Sequence, residues 1–210
     1  MKILSGAVGA FAVLAAISAG RLGDNFLYVV AGAALICALT TWASARISSF
    51  LKIFVGIFST ETIVFGLAML GVRAGLWPAQ FKDFLPPDSL PLTVSMFSIL
   101  VYAVSRLPIM QEMLRIADLY YNQKDIGVAR VWPFGSYRAL ERRIAIAMIV
   151  CLVLINQAQV GITVRLSFFN RDWFNAIQNK DAATFWTLLL WVFVPWAFVY
   201  ITSAVVEFVL

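Results

Sequence analysis

The chain has no histidine and only two cysteines, Cys37 and Cys151, each inside an apolar run. Without imidazole there is no histidine-activated nucleophile, no imidazole proton relay and no imidazole metal ligand. A disulfide needs two close, oriented thiols, and a metal site needs clustered ligands, so neither is expected from this pair. Both cysteines read as small residues facing lipid or a neighbouring helix. The chain also lacks a G-x-x-x-x-G-K-[ST] phosphate loop, a G-x-G-x-x-G turn and any zinc or haem spacing. No catalytic residue, metal or cofactor is therefore expected in it, and ATP could act only through a domain outside these residues. Charge is scarce, at 13% of residues, and no basic run is interleaved with aromatics as a base-stacking surface requires, so nucleic acid is not an expected partner.

What the chain has is apolar residue, 62% of the total, with a mean hydropathy of +0.88. A domain of 210 residues in water cannot hide that much apolar surface, so membrane lipid is the expected partner. Crossing about 30 Å of hydrocarbon takes roughly 20 residues of helix. Six runs approach that length: residues 3–19, 26–43, 53–72, 90–104, 144–168 and 185–207. The first also resembles a cleavable signal peptide, with Lys2, an apolar core and Ser18, Ala19 and Gly20. The apolar run that follows after a handful of residues favours a retained span, with residues 21–25 as a tight hairpin.

The net charge is +5, from 16 Lys and Arg against 11 acidic residues. Alternating the six runs puts Lys2, Arg46, Lys52 and the Arg-rich segment after Val104 on one side. Only Arg21, Arg73, Lys82, Arg171 and Lys180 fall on the other, with Arg165 near that boundary. The positive-inside rule then predicts both termini in the cytoplasm, as for a multi-pass protein of a bacterial inner membrane. Residues 73–89, with Pro78, Pro86 and Pro87, read as an extended external loop carrying an interfacial Trp77. Met110, Met113, Leu114, Ala117 and Tyr121 recur at helical spacing opposite Glu112, Arg115 and Asp118, which predicts an amphipathic helix on the inner leaflet. The run Trp132, Pro133, Phe134 and Gly135 should interrupt it.

The expected fold is all-α: a polytopic helical membrane protein with about six transmembrane helices and a cytoplasmic amphipathic helix between the fourth and fifth. Residues 1–105 form a four-span module, residues 106–136 a cytoplasmic amphipathic linker, and residues 137–210 the last two spans. In the first module Gly6, Gly9 and Gly32 would allow close helix approach.

Between the last two runs lies a polar and aromatic interval, residues 169–186, reading F-N-R-D-W-F-N-A-I-Q-N-K-D-A-A-T-F-W. Asn170 can cap a short interfacial helix whose apolar side is Trp173, Phe174 and Ile177. Asn179, Lys180 and Asp181 should end it, with Asp181 capping the next helix. Trp173, Phe174, Phe185, Trp186 and Trp191 read first as an interfacial aromatic belt, and second as a surface for amphipathic substrates.

Two sets of polar residues sit inside apolar runs. Asn156, Gln159, Thr163 and Ser167 share one face of the fifth run, which suits either interhelical hydrogen bonds or a substrate path. Glu61, in the middle of the third run, suits an interhelical pair or ion and proton coupling. Glu207 reads as snorkelling at the inner end of the last span, or as simply solvated if that helix runs on into the cytoplasm.

The interval from residue 170 to 186 resembles the first external loop of the SbmA/BacA-like ABC transporter membrane domain, which typically runs N-N-D-F-Y-D-A-L-Q-N-K-D and then F-W. Asn170, Asp172, Ala176, Gln178, Asn179, Lys180, Asp181, Phe185 and Trp186 match, and Trp173, Phe174 and Ile177 are similar replacements. Asn175 stands where the family has aspartate. The basic lead-in from Arg138 to Arg143 is similar as well, so the resemblance covers about residues 137–210.

The family continues through four more spans and often a nucleotide-binding domain. The resemblance therefore implies that these residues are the N-terminal portion of a longer transporter, or a truncated product. It implies a transporter of peptides or similar amphipathic substrates, energised by ATP in another domain or by a proton gradient. Its partner would be a second copy in a homodimer or the remaining transporter domains. The rival reading is a non-transporting membrane anchor, assembly factor or sensor. A cysteine-accessibility scan checks the topology: Asn175→Cys should label from outside and Gln123→Cys only from inside, and the reverse pattern would sink it.

Overall fold

A backbone in an apolar surrounding must pair its own N–H and C=O groups, and the helix does this within one segment. In the computed structural model, which describes residues 1–78, 87–131 and 135–209, the apolar runs are accordingly helices. Five are long and apolar enough to cross a membrane: Lys2–Leu22, Asn25–Arg46, Ser49–Arg73, Glu141–Gln178 and Ala182–Val209. The fourth apolar run is different. Its helix, Leu90–Val104, has 15 residues, about 22 Å at 1.5 Å per residue, and it turns by 91° into the next helix. Among the described residues the architecture is all-α apart from one two-stranded hairpin, and the chain divides into two units, Met1–Asn122 and Gln123–Leu210.

The first unit begins with α1 (Lys2–Leu22) and α2 (Asn25–Ala43). Gly23 ends α1 in the left-handed conformation, φ 66°, which glycine adopts without steric penalty. Asp24 then caps α2 by accepting from the Phe26 N–H at 2.9 Å. Val8, Phe11, Ala15 and Ala19 of α1 pack against Leu27, Val30, Ala34 and Cys37 of α2, and Met69 and Leu70 of α3 (Ser49–Arg73) join them. A short turn of tighter helix, Ser44–Arg46, separates α2 from α3, and Ser48 caps α3.

The glycines singled out from the sequence do not make the closest approaches. A Cβ at Gly6 or Gly32 would meet nothing within 4 Å, and at Gly9 only Ala38 at 3.9 Å. The α1–α2 seam is set by alanine instead. In the first unit the crowded glycines are on α3: a Cβ at Gly66 would lie 2.1 Å from the Phe11 ring, and one at Gly71 would lie 2.4 Å from the Trp77 indole nitrogen. Trp77 has folded back onto α3, and its indole N–H donates to the Ala68 carbonyl at 3.2 Å. Much of the loop expected across residues 73–89, including Lys82 and Pro86, lies outside the described residues.

Helix α4 (Leu90–Val104) starts with Pro91 in its first turn, where a missing N–H costs nothing. Helix α5 (Pro108–Tyr121) follows and is amphipathic, as its spacing predicts. Leu114 is buried, whereas Ile109, Met113, Ile116 and Leu119 are each more than 60% exposed. The Asp118 carboxylate accepts from the Ser49 N–H at 2.7 Å and the Ser48 hydroxyl at 2.8 Å, which anchors α5 to the start of α3.

The second unit opens on the hairpin, β1 (Ile126–Val131) paired antiparallel with β2 (Gly135–Leu140), in a register from Ile126↔Leu140 to Val131↔Gly135. The sequence reading contains no such element. Trp132, Pro133 and Phe134, expected to interrupt a helix, lie outside the described residues. Helix α6 then runs unbroken over 38 residues, Glu141–Gln178. This corrects the expectation that Asn170 caps a separate short helix: Asn170 lies inside α6, because no proline or left-handed residue interrupts the segment before Lys180.

The end of α6 is a Schellman turn. Lys180 is left-handed, φ 55°, and the Asp181 and Lys180 N–H groups donate to the Ala176 and Ile177 carbonyls. The return helix comprises α7 (Ala182–Thr187), a π-helical turn (Leu188–Phe193) and α8 (Val194–Val209). Pro195 explains the π turn: it has no N–H to give and its ring crowds the Trp191 carbonyl, so the helix widens just before it.

The crowding at Gly66 gives a direct test of the first unit. Gly66→Ala should lower unfolding stability in detergent by about 1–3 kcal/mol, as overpacking does. Adding Phe11→Leu should return most of it, because the ring is what the new methyl meets.

Candidate functional site

In the first unit a seam of hydroxyls runs between three helices. Ser59 of α3 lies 2.7 Å from the Thr41 hydroxyl of α2 and 3.0 Å from the Ser98 hydroxyl of α4, with the Cys37 sulfur at 3.6 Å. All four side chains are fully buried. Thr41 also donates to the Cys37 carbonyl, so the seam closes on itself rather than presenting free groups. Such interhelical hydroxyl contacts stabilise helix packing by about 0.6–2 kcal/mol each. They fix helix positions. Glu61 is half-buried at the middle of α3, two residues along the helix from Ser59.

The second unit holds the polar line read from the sequence. Gln159 is half-buried and its amide donates to the Glu207 carboxylate of α8 at 2.8 Å. This corrects the reading of Glu207 as a snorkelling or solvated residue: the last helix returns antiparallel to α6 and sets Glu207 against Gln159. Asn156 and Thr163 are exposed and satisfy themselves locally, Asn156 donating to the Leu152 carbonyl and Thr163 to the Gln159 carbonyl. Of the three, only Gln159 meets another helix. Ser203 lies one turn before Glu207 on α8, is likewise half-buried, and donates to the Tyr200 carbonyl.

Nearer the turn, aromatic side chains join the same helices. Phe169 stacks on Trp173 with centroids 6.0 Å apart, and Trp173 stacks on Phe185 at 5.4 Å. Phe193, in the π turn, meets Phe169 at 5.3 Å. Phe174 and Trp186 pack edge-on at the rim, against Trp173 and Phe185. Trp191 is 79% exposed. Phe193 was not singled out from the sequence. Only the π turn aims it at Phe169, and its sole sequence signal is Pro195.

The expected apolar side of Trp173, Phe174 and Ile177 is likewise rearranged. Phe169, Trp173 and Ala176 face inward, whereas Phe174 and Ile177 are exposed. Asn170, Asp172 and Gln178 are exposed along the last turns of α6, Asp172 in contact with the neighbouring Arg171 guanidinium at 3.1 Å.

Asp181 is the expected cap of the return helix. Its carboxylate accepts from the Thr184 hydroxyl at 2.6 Å and the Thr184 N–H at 3.1 Å. The Thr184 hydroxyl, and then its N–H, hold the Asp181 carboxyl below its ordinary pKa. A carboxylate lowered on folding supports the cap above its unfolded pKa and loses that support as pH falls through the lowered value. Among the described residues, no cluster of three acidic or cysteine side chains could hold a metal ion.

Two measurements check this geometry. A double-mutant cycle of Gln159→Ala and Glu207→Ala should show a coupling of about 1 kcal/mol in thermal unfolding, and additivity would reject the contact. Protection of the Thr184 amide, its exchange rate relative to the intrinsic rate at the same pH, should fall in Asp181→Ala, and in the parent chain should fall as acid titrates Asp181. A Thr184 amide indifferent to both would reject the cap. In comparisons with known proteins, no family model, curated protein or solved structure matches the chain.

Proposed function

We propose that the chain is the membrane-spanning part of an SbmA/BacA-like, ABC-type transporter that moves peptides or similar amphipathic substrates across a bacterial inner membrane. The observation that carries this reading is the α6–α8 pair. Both helices are apolar along their length and almost none of that apolar length is buried within the protein. Within that apolar pair, Gln159 and Glu207 meet in the middle of α6's apolar run. Such a contact in lipid suits a helix pair whose polar line adjoins further helices or a water-filled path. The turn between the helices carries the N-K-D and F-W residues of the family loop, with Asp181 in the capping role those residues predict.

In this reading both termini are cytoplasmic and the α6–α7 turn is external. Lipid covers the outer faces, and a second copy or further transporter domains cover the rest. Energy enters through ATP bound elsewhere or through a proton gradient. The first unit favours the rival reading, a non-transporting anchor, assembly factor or sensor. Its hydroxyl seam is closed by mutual hydrogen bonds, as suits a scaffold.

Uptake decides between the two. Cells producing the full-length protein should accumulate a fluorescent amphipathic peptide, and Gln159→Leu should lower the rate by tenfold or so, the effect of about 1.4 kcal/mol on a barrier. Accumulation no higher than in cells lacking the protein would favour the scaffold reading.

A further inference from the structure

We propose that α5 is an anionic-lipid site: a helix that lies in the membrane surface and takes a phosphate-bearing lipid along its polar–apolar border. The proposal rests on the membrane reading above and adds to it a surface, a ligand chemistry and the residues that bind.

The geometry has three parts. First, α5 turns 91° from α4, so if α4 runs along the bilayer normal, α5 lies in the bilayer plane. Second, α5 is held in one rotation about its axis. Asp118 accepts from Ser48 and Ser49, and Tyr121 meets the Phe50 ring at 5.5 Å, so that side of the helix faces α3. The exposed stripe of Ile109, Met113 and Ile116 then faces away from α3. Third, a shallow depression of about 340 Å³ lies where the stripe meets the polar side, lined by Glu112, Arg115, Ile116 and Leu119. A guanidinium beside two exposed aliphatic side chains matches a phosphate headgroup above an acyl chain. Glu112 is the one group there that opposes an anion.

Charge at this end of the unit fits the same ligand. Lys2, Arg46, Lys52, Arg106 and Arg115 stand against Glu112 and Asp118, five cations less two anions, or +3. At the other end Arg21 and Arg73 stand against Asp24 and Asp88, two less two, or zero among the described residues. Arg106 is prepared for an interfacial position: it bonds the Tyr102 hydroxyl at 2.6 Å and lies over that ring at 5.1 Å. Each such cation near an anionic surface contributes on the order of a fivefold preference over a neutral one.

The test uses the full chain carrying Cys37→Ser and Cys151→Ser, with a nitroxide on Met113→Cys, in bilayer discs. Collision with oxygen reports lipid and collision with a nickel chelate reports water. In discs rich in phosphatidylglycerol the label should be oxygen-dominated. Replacing that lipid by phosphatidylcholine, or adding Arg106→Gln and Arg115→Gln, should shift the seated-to-unseated ratio toward water by about fivefold per charge.

A label that stays in water in both lipids, or that seats equally in both and ignores the arginine changes, overturns the proposal. A second label at Leu35→Cys, on the exposed side of α2, separates the two readings. If it collides with oxygen while the Met113 label does not, α5 is not a lipid site and the spans stand. If neither does, the membrane reading itself fails.

Discussion

The first unit depends on one cation. Arg73, the last residue of α3, pairs with Asp24 in the α1–α2 turn and with Asp88 ahead of α4, and it lies 5.8 Å from the Phe26 ring at the start of α2. One guanidinium therefore ties together the ends of four helices. The planar fork of five donors lets one side chain face two carboxylates in fixed directions, which the compact, freely rotating ammonium of a lysine does not reproduce. Arg73 and Asp24 are about three-quarters or more shielded from solvent, so loss of either leaves its partner poorly compensated. The same pairing holds α1 and α3 pointing toward this end and α2 and α4 away from it. The hydroxyl seam below then meets in register.

Much of this was legible in the residues, and what was not has a common cause. Helix positions followed from long apolar runs, and the cap at Asp181 followed from an acidic residue placed just before such a run, whereas residues 21–25 read only as a hairpin and the Asp24 cap within them emerged from the structure. Features that depend on which side of a helix meets a neighbour were not legible. Gly6, Gly9 and Gly32 look like packing glycines in sequence, yet the close approaches are at Gly66 and Gly71, because the Phe11 and Trp77 rings happen to reach those points.

Asn170 is a good cap by type but sits in a segment that nothing else breaks, so α6 runs past it. The hairpin escaped notice because I-G-V-A-R-V and G-S-Y-R-A-L are short and alternate only weakly. Within the candidate site, Gln159 was recognisable as a polar group in an apolar run. Its partner was not, since the pairing depends on the length and pitch of the whole return helix.

The two units differ in how they satisfy polar atoms. The first turns Cys37, Thr41, Ser59 and Ser98 inward, each within reach of a neighbour on another helix or on its own. The second unit leaves several of its polar side chains to their own backbone, as with Asn156, Thr163 and Thr202. A serine or threonine bonded to its own helix in this way adds little to tertiary structure. Packing in the first unit is thus specified by side-chain contacts between helices. The α6–α8 pair is joined by an amide–carboxylate bond and a small stack of rings.

The π turn before Pro195 holds one residue more than the α-helical turn it replaces and absorbs it locally, so the helix beyond keeps the rotation of a continuous α-helix. Removing one residue of Leu188–Phe193 would close that turn and leave α8 facing α6, with Glu207 still opposite Gln159. Removing one residue from the regular helix between Val194 and Glu207 has no such buffer, and it would turn Glu207 by about 100° away from Gln159 although no contacting residue had been changed. The last helix is therefore tolerant of a changed residue count at the π turn and intolerant of one beyond it.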